Sequence, residues 1–276
     1  MEEHGEHRAL VTGEGGGAAP VASGNSPGIF QGAKRLWGLA ALAVAVGAGG
    51  PAAACRLALI LALDVSGSVD AREYRLQLDG LAEALADPEV RSAILALSDA
   101  PVDLAVFEWS GAAFQRQIID RTTIDGPALD AAIGRLRGWQ RISAPEATGL
   151  GAALEVAAAQ LADGPACWRH VVDISSDGKN NDWPSPRQVH LSGATAGLTV
   201  NALAVGLTSA ATGGIPGLPE LVAYLEAEVI RGADAFVETA SGYEDYAEAM
   251  KRKLLRELTA GLFASSLPIP RLASAQ

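Results

Sequence analysis

Three short side chains with oxygen atoms stand at alternate positions in the sequence DVSGSVD: Asp64, Ser66 and Ser68. They follow the run Leu57–Leu63, which is short, apolar on both faces and typical of a buried central strand of a parallel sheet. In open α/β sheets, ligands bind at the carboxyl ends of the strands. A carboxylate and two hydroxyls at such a place suit a hard cation such as Mg²⁺, although the same residues are common in ordinary turns.

Two more oxygen-bearing side chains lie at comparable places further along the chain. Thr148 opens the helical pattern TGLGAALEVAAAQLAD, and Asp177 follows the apolar stretch HVVDIS, which predicts another strand. If that strand pairs with the first one, the three segments meet at one edge of the sheet and bring together Asp64, Ser66, Ser68, Thr148 and Asp177. The polar residues Asn180, Asn181 and Asp182 are predicted to stabilise their loop rather than to bind a cation.

The elements that must position these residues alternate between strands and helices, with no repeat and no second core. This order predicts one doubly wound α/β domain over residues 55–263, with a mostly parallel sheet and helices on both faces. The stretches Val102–Trp109 and Phe114–Ile119 predict an antiparallel hairpin, and so one antiparallel edge strand. Asp70 can cap the helix after the first motif, and a later helix is predicted over about residues 186–196.

The two ends of the chain differ from this domain in composition. Residues 1–33 have no apolar period and many Gly and Glu, which predicts a disordered leader or a start codon assigned too early. Residues 34–54 combine Lys-Arg, an apolar run too short for a comfortable membrane span and a small-residue stretch, a pattern typical of a secretory signal peptide. We therefore expect a periplasmic or secreted chain with no membrane span in its mature part and a loose tail over residues 264–276.

The two cysteines of the chain stand at similar distances before two predicted strand ends. Cys55 lies nine residues before Asp64, and Cys167 lies ten residues before Asp177. If those strands are parallel neighbours, both cysteines lie at the same end of the sheet, where export would allow a disulfide. Two separate buried thiols are the alternative, and lipidation of Cys55 after the Ala-Ala-Ala stretch is another.

The motifs DVSGSVD, TGLGAAL and ISSDGKNND resemble, in their order and on their predicted elements, the metal-ion-dependent adhesion site of the von Willebrand factor type A (VWA) domain. The stretches FEWSG, TVNALAV and RKLLREL add a resemblance to a bacterial family of exported, uncharacterised VWA-like proteins. The first resemblance implies a doubly wound fold that holds a divalent cation, Mg²⁺ or else Mn²⁺ or Ca²⁺, at the carboxyl edge of the sheet.

The same resemblance implies a role for each residue of the set. Ser66 and Ser68 would coordinate the cation directly, and Thr148 would bind it directly or through water. Asp64 and Asp177 would hold metal-bound waters and supply negative charge. One coordination position would stay open for an acidic side chain of a protein partner.

Capture of a partner carboxylate, without reaction chemistry, is the function that these observations favour. The formal net charge of −11 argues against a nucleic-acid partner. The alternative is an enzyme that uses Asp64 for Mg²⁺-dependent phosphotransfer or hydrolysis, although Ser66 stands where such phosphatases usually carry a second acid. A structural envelope protein with a vestigial site is the third hypothesis.

Overall fold

The computed structural model describes residues 55–207 and 217–260, and the predicted leader, signal peptide and tail lie outside these residues. The described part has six strands: β1 (Leu57–Asp64), β2 (Val102–Trp109), β3 (Gln115–Thr123), β4 (Arg169–Ser176), β5 (Thr199–Gly206) and β6 (Val237–Ser241). It has seven α-helices: α1 (Ala71–Ala86), α2 (Pro88–Ile94), α3 (Gly126–Gly138), α4 (Leu150–Ala162), α5 (Pro186–Ser192), α6 (Leu218–Glu228) and α7 (Tyr246–Ala260), the last preceded by a 3₁₀ turn, Tyr243–Asp245. None of these helices is long and apolar enough to cross a membrane.

The six strands form one sheet in the order β3-β2-β1-β4-β5-β6, and each neighbouring pair is parallel except β2 and β3. The predicted doubly wound fold with one antiparallel edge strand is therefore confirmed. From β1 the chain extends the sheet to one side through β2 and β3, and then returns to pair β4 with the other side of β1. This reversal of direction creates a crevice at the carboxyl ends of β1 and β4.

Both faces of the central strand β1 are buried, which explains its unbroken apolar sequence. Its four leucines, at the odd positions of residues 57–63, pack in a core with α1, α2, α3 and α7. The residues at the even positions pack in a second core with α4, α5 and α6. All seven side chains are at most 2% exposed, so the strand is fixed from both sides.

Helix α1 begins shortly after Ser68 because Asp70 caps it, as predicted. The Asp70 carboxylate accepts hydrogen bonds from the backbone N–H groups of Arg72 and Glu73 at 2.7 and 2.8 Å. The Glu73 carboxylate accepts one in return from the Asp70 N–H at 2.8 Å. This reciprocal capping box fixes the turn between β1 and α1, which carries Ser66 and Ser68.

Two elements differ from their predicted bounds. Helix α5 ends earlier, at Ser192, because Gly193 adopts a left-handed backbone conformation with φ of 86°. Strand β3 extends further, to Thr123, and its last residues are polar, as an edge strand allows. Arg121 near that end forms an ion pair with Asp103 of β2, which helps to keep the polar end of β3 in the sheet.

A disulfide holds the amino edge of the sheet, where β1 and β4 begin. Cys55 and Cys167 are joined with an Sγ–Sγ distance of 2.03 Å and a Cα–Cα distance of 4.4 Å. The Trp168 N–H also donates a hydrogen bond to the Cys55 carbonyl at 2.9 Å. The pairing predicted from the cysteine spacing is therefore present.

The end of helix α7 lies at the same amino edge. The guanidinium group of Arg56, next to Cys55, donates a hydrogen bond to the Leu258 carbonyl at 3.2 Å. Arg169, the first residue of β4, donates one to the Glu257 carbonyl at 2.9 Å. These two bonds hold the last described turns of α7 beside the first residues of β1 and β4.

Loss of the disulfide should destabilise the domain. The bond joins residues with a sequence separation of 112, and a loop of this length stabilises the folded state by about 5 kcal/mol in the chain-entropy account. We expect the double variant Cys55→Ser/Cys167→Ser to lose about 5 kcal/mol in its free energy of unfolding in urea. Wild type with a reducing agent is the control, and an unchanged free energy in the double variant would contradict the expectation.

Candidate metal centre

The residues predicted to bind a cation lie in the crevice between the carboxyl ends of β1 and β4. The two strands pair in parallel with Leu63 opposite Ser175, so the polar residues that follow each strand emerge side by side. Three segments meet there: the turn after β1, the loop after β4 and the residues just before α4. They carry the predicted set Asp64, Ser66, Ser68, Asp177 and Thr148.

Four of the five predicted side chains form a continuous series of close polar contacts. The Thr148 hydroxyl donates a hydrogen bond to Ser66 Oγ at 3.2 Å. Ser66 Oγ lies 3.4 Å from Ser68 Oγ, and Ser68 Oγ donates to Asp177 Oδ1 at 2.6 Å. The structure therefore brings side chains from all three segments into hydrogen-bonding distance.

Asp64, the fifth residue of the set, is fully buried next to this series. Its Oδ1 accepts a hydrogen bond from the Ser66 N–H at 2.9 Å, and its Oδ2 accepts one from Ser176 Oγ at 2.6 Å. Its backbone carbonyl accepts one from Gln77 Nε2 at 2.9 Å. Asp64 is thus held behind the turn that carries Ser66, rather than at the protein surface.

The two carboxylates of the set lie in an environment that disfavours negative charge. Burial raises the pKa of Asp64 to about 7, and the charge of Asp177 is the second cause. Burial also raises the pKa of Asp177, and the charge of Glu73 adds to this, although the hydrogen bond from Ser68 acts in the opposite direction. Neither carboxylate forms a salt bridge within the described part of the chain. The place is therefore electrostatically favourable for a cation.

The donor set also fits the geometry of a hard divalent cation. In an octahedral site with ligand distances of about 2.1 Å, adjacent ligand oxygens are roughly 3 Å apart. The hydroxyl oxygens of Thr148 and Ser66 are 3.2 Å apart, and those of Ser66 and Ser68 are 3.4 Å apart. Residues 55–207 and 217–260 contain no group of three or more His, Cys, Asp or Glu side chains suited to a metal. A cation at this place would have the hydroxyl oxygens of Ser66, Ser68 and Thr148 and the carboxylates of Asp64 and Asp177 around it, and oxygen ligands suit Mg²⁺, Mn²⁺ or Ca²⁺.

Close backbone packing holds the three segments against one another. The Gly67 N–H donates to the Glu146 carbonyl at 3.0 Å, and a Cβ at Gly67 would lie 2.9 Å from the Glu146 Cβ. At Gly151, in the first turn of α4, a Cβ would lie 2.1 Å from the Pro184 carbonyl oxygen. A side chain at Gly67 would push the segment that carries Thr148 away from the turn after β1, and a side chain at Gly151 would push α4 away from the loop after β4.

Sequence reasoning did not identify three residues around the predicted set. Ser176 and Gln77 hold the side chain and the carbonyl of Asp64. Tyr243 is 5% exposed, its hydroxyl has no hydrogen-bond partner among the described residues, and burial followed by the charges of Asp177 and Asp64 raises its pKa. A sequence signal existed only for Gln77, a polar residue on the buried face of α1.

Solved structures of other proteins have a similar fold. One is proximal thread matrix protein 1 from the mussel byssus, whose structure has a zinc-occupied MIDAS (metal-ion-dependent adhesion site) motif. It is 17% identical to this chain with a TM-score of 0.53, and the match covers 75% of this chain and 46% of that chain. The pilus adhesin SpaC from Lactobacillus rhamnosus GG is 13% identical with a TM-score of 0.54, over 75% and 31%. A von Willebrand factor type A protein from Catenulispora acidiphila is 16% identical with a TM-score of 0.52, over 74% and 43%. This chain spans less than half the length of each of them.

At these identities the likeness shows the fold alone, and the fold is that of the VWA domain. No curated protein sequence is significantly similar to the chain. The sequence profile of one protein family, described as "Protein of unknown function (DUF1194)", matches residues 54–262. Because this match covers nearly the whole folded domain, the chain belongs to the DUF1194 family.

Proposed function

We propose that this protein is an exported binding module that captures a carboxylate of a protein partner through a divalent cation at the carboxyl edge of its sheet. The observation that carries the proposal is the close group of five oxygen-bearing side chains in the crevice between β1 and β4. Two of them are buried carboxylates without a salt bridge in the described residues, whereas Ser68 is only half-buried and reaches the surface.

Each residue of the group has a role in this proposal. Ser66 and Ser68 hold the cation, Mg²⁺ or else Mn²⁺ or Ca²⁺, with their hydroxyls, and Thr148 adds a third hydroxyl directly or through water. Asp64 and Asp177 supply negative charge and accept hydrogen bonds from metal-bound waters. The cation supplies the positive charge that attracts the partner's carboxylate to the exposed side of the group.

Proteins with a similar fold support a binding function. The mussel protein carries zinc in its MIDAS motif, which shows that this fold can hold a divalent cation. SpaC is a pilus adhesin, and the mussel protein is a thread matrix protein; both descriptions denote binding or structural proteins. By analogy, we favour protein binding over enzymatic activity for this chain.

The position of Asp64 argues against the alternative of a phosphotransfer or hydrolytic enzyme. A nucleophilic carboxylate needs an oxygen that can reach the substrate. Asp64 is 0% exposed, and both of its carboxylate oxygens accept hydrogen bonds, from Ser66 N–H and from Ser176 Oγ. Such a residue is well placed to stabilise a cation site and poorly placed to attack a substrate.

The disulfide supports export, because structural disulfides persist mainly in oxidising compartments. The predicted signal peptide over residues 34–54 agrees with a periplasmic or secreted location, and it remains a prediction.

Substitution of Asp64 by Asn should weaken cation binding strongly. The change removes a negative charge from the centre of the group and nearly preserves the size of the side chain. In isothermal titration calorimetry, we expect Asp64→Asn to bind Mg²⁺ and Mn²⁺ at least roughly tenfold more weakly than wild type. Because a buried charge beside Asp177 is also lost, the metal-free variant should unfold at no lower temperature than metal-free wild type.

Asp99→Asn is the matched control for this experiment. It removes the same charge from an exposed residue before β2, at the amino edge of the sheet, and should bind both ions like wild type. Equal binding by wild type and Asp64→Asn would show that the cation binds elsewhere and would refute the proposed site.

A free carboxylate should bind to the cation-loaded site. In NMR titrations with Mg²⁺ present, acetate should shift the backbone amide signals of the turn after β1 and of residues 148–149 and 177–178. Acetamide, which has a similar shape and no charge, should have little effect, and a chelator should abolish the response to acetate. Shifts of equal size with and without Mg²⁺ would argue against capture through a cation.

The exported protein should begin near Cys55. N-terminal sequencing of the mature protein measures this directly. A mature chain that starts at Met1 would contradict the proposed signal peptide, and a lipid on Cys55 would contradict its disulfide.

A further inference from the structure

We infer that Asn181 is a positioning residue of the candidate metal centre, because it holds both backbone polar groups of Thr148. Asn181 Oδ1 accepts a hydrogen bond from the Thr148 N–H at 2.7 Å. The Asn181 N–H donates one to the Thr148 carbonyl at 3.0 Å. Because Asn181 accepts one of these bonds and donates the other, together they fix both the position and the orientation of the Thr148 backbone. The consequence for cation binding rests on the proposed function, whereas the positioning of Thr148 does not.

The local structure around Thr148 explains why these two hydrogen bonds with Asn181 are needed. Residues 139–147 form an irregular loop, and helix α4 begins only at Leu150. The residue that would normally cap the helix is Gly149, which has no side chain to do so. Regular helix bonds therefore do not hold Thr148. Its neighbour Gly149 is bonded to the Ser110 carbonyl at 2.6 Å, whereas the N–H and carbonyl of Thr148 itself are both bonded to Asn181.

Asn180 and Asp182, on either side of Asn181, connect the loop after β4 to two other segments by hydrogen bonds. Asn180 Oδ1 accepts a hydrogen bond from the Gly151 N–H at 3.1 Å, and so satisfies a backbone donor in the first turn of α4. Asp182 Oδ2 accepts one from the Ala112 N–H at 2.8 Å, in the turn between β2 and β3. Three consecutive polar side chains thus each accept a hydrogen bond from a backbone N–H group of another segment, and Asn181 is the one that contacts the predicted ligand residue.

The loop after β4 therefore contributes to the candidate centre twice. It supplies the Asp177 carboxylate, and four residues later it holds Thr148 through Asn181. The hydroxyl of Thr148 lies 3.2 Å from Ser66 Oγ, so a backbone shift of about 1 Å would already break that contact. Residues that orient a metal ligand in this way commonly change metal affinity by about 10–100-fold when they are removed.

The first test is the exchange rate of the Thr148 amide hydrogen in metal-free protein, measured by NMR. The Asn181→Ala variant should exchange this hydrogen at least tenfold faster than wild type, because its acceptor is gone. Asn181→Asp keeps an acceptor oxygen at the same place and should restore protection. An unchanged exchange rate in Asn181→Ala would overturn the inference.

The second test is Mg²⁺ affinity, with Asn180→Ala as the matched control. Both alanine variants lose one side-chain bond to a backbone N–H, and Asn180→Ala also loses the bond from Asn180 Nδ2 to the Asp182 carbonyl at 2.6 Å. A purely structural role therefore predicts losses of stability and of affinity at least as large in Asn180→Ala as in Asn181→Ala. A positioning role predicts a loss of affinity of about 10–100-fold in Asn181→Ala and a clearly smaller loss in Asn180→Ala. Equal losses of affinity in the two variants would overturn the inference.

The two tests separate this inference from the proposed function. Absence of Mg²⁺ binding by wild type would refute the cation site, and with it the effect of Asn181 on affinity. The exchange rate of the Thr148 amide would still decide whether Asn181 positions that residue.

Discussion

The parallel pairing of β1 with β4 is the interaction on which both edges of the sheet depend. Its register, with Leu63 opposite Ser175, brings the polar turns of the two strands together at the carboxyl edge. The same register brings Cys55 and Cys167 together at the amino edge. A slip of one residue would turn the leucines of β1 towards the wrong core, so burial on both faces fixes the disulfide and the candidate metal centre at once.

A second buried acidic pair, between the sheet and helix α7, shows how the protein neutralises such charges. Asp173 of β4 and Glu257 of α7 each lie 2.8 Å from Lys253 Nζ, and all three side chains are completely buried. Burial raises the pKa of Asp173 to about 7, while the charge of Lys253 acts in the opposite direction. The protein thus provides an internal ammonium group for this pair. The acidic pair at the carboxyl edge has no such partner among the described residues, and the cation that we propose there would have the corresponding role.

Much of the fold and of the candidate centre could be predicted from the sequence, because regular patterns determine them. The apolar run of β1, the hairpin of β2 and β3 and the cysteine spacing each reflect strands that begin and end at common edges. The contacts of Ser176 and Asn181 could not be predicted in this way. The bonds of Asn181 reach an irregular segment, and the bond from Ser176 Oγ to the Asp64 carboxylate depends on how β1 and β4 pair. Neither contact leaves a periodic signal in the sequence. The end of α5 at Gly193 was likewise missed, since a glycine inside a helical pattern does not always end a helix.

The bonds from Arg56 and Arg169 to the last turns of α7 have a consequence for how the domain can be displayed. They place both ends of the folded domain at one pole, near Cys55, while the crevice between β1 and β4 opens at the other. The eight residues of β1 separate the poles by about 26 Å. A surface, a neighbouring domain or a label attached at residue 55 or residue 260 would therefore be attached at the pole opposite the crevice.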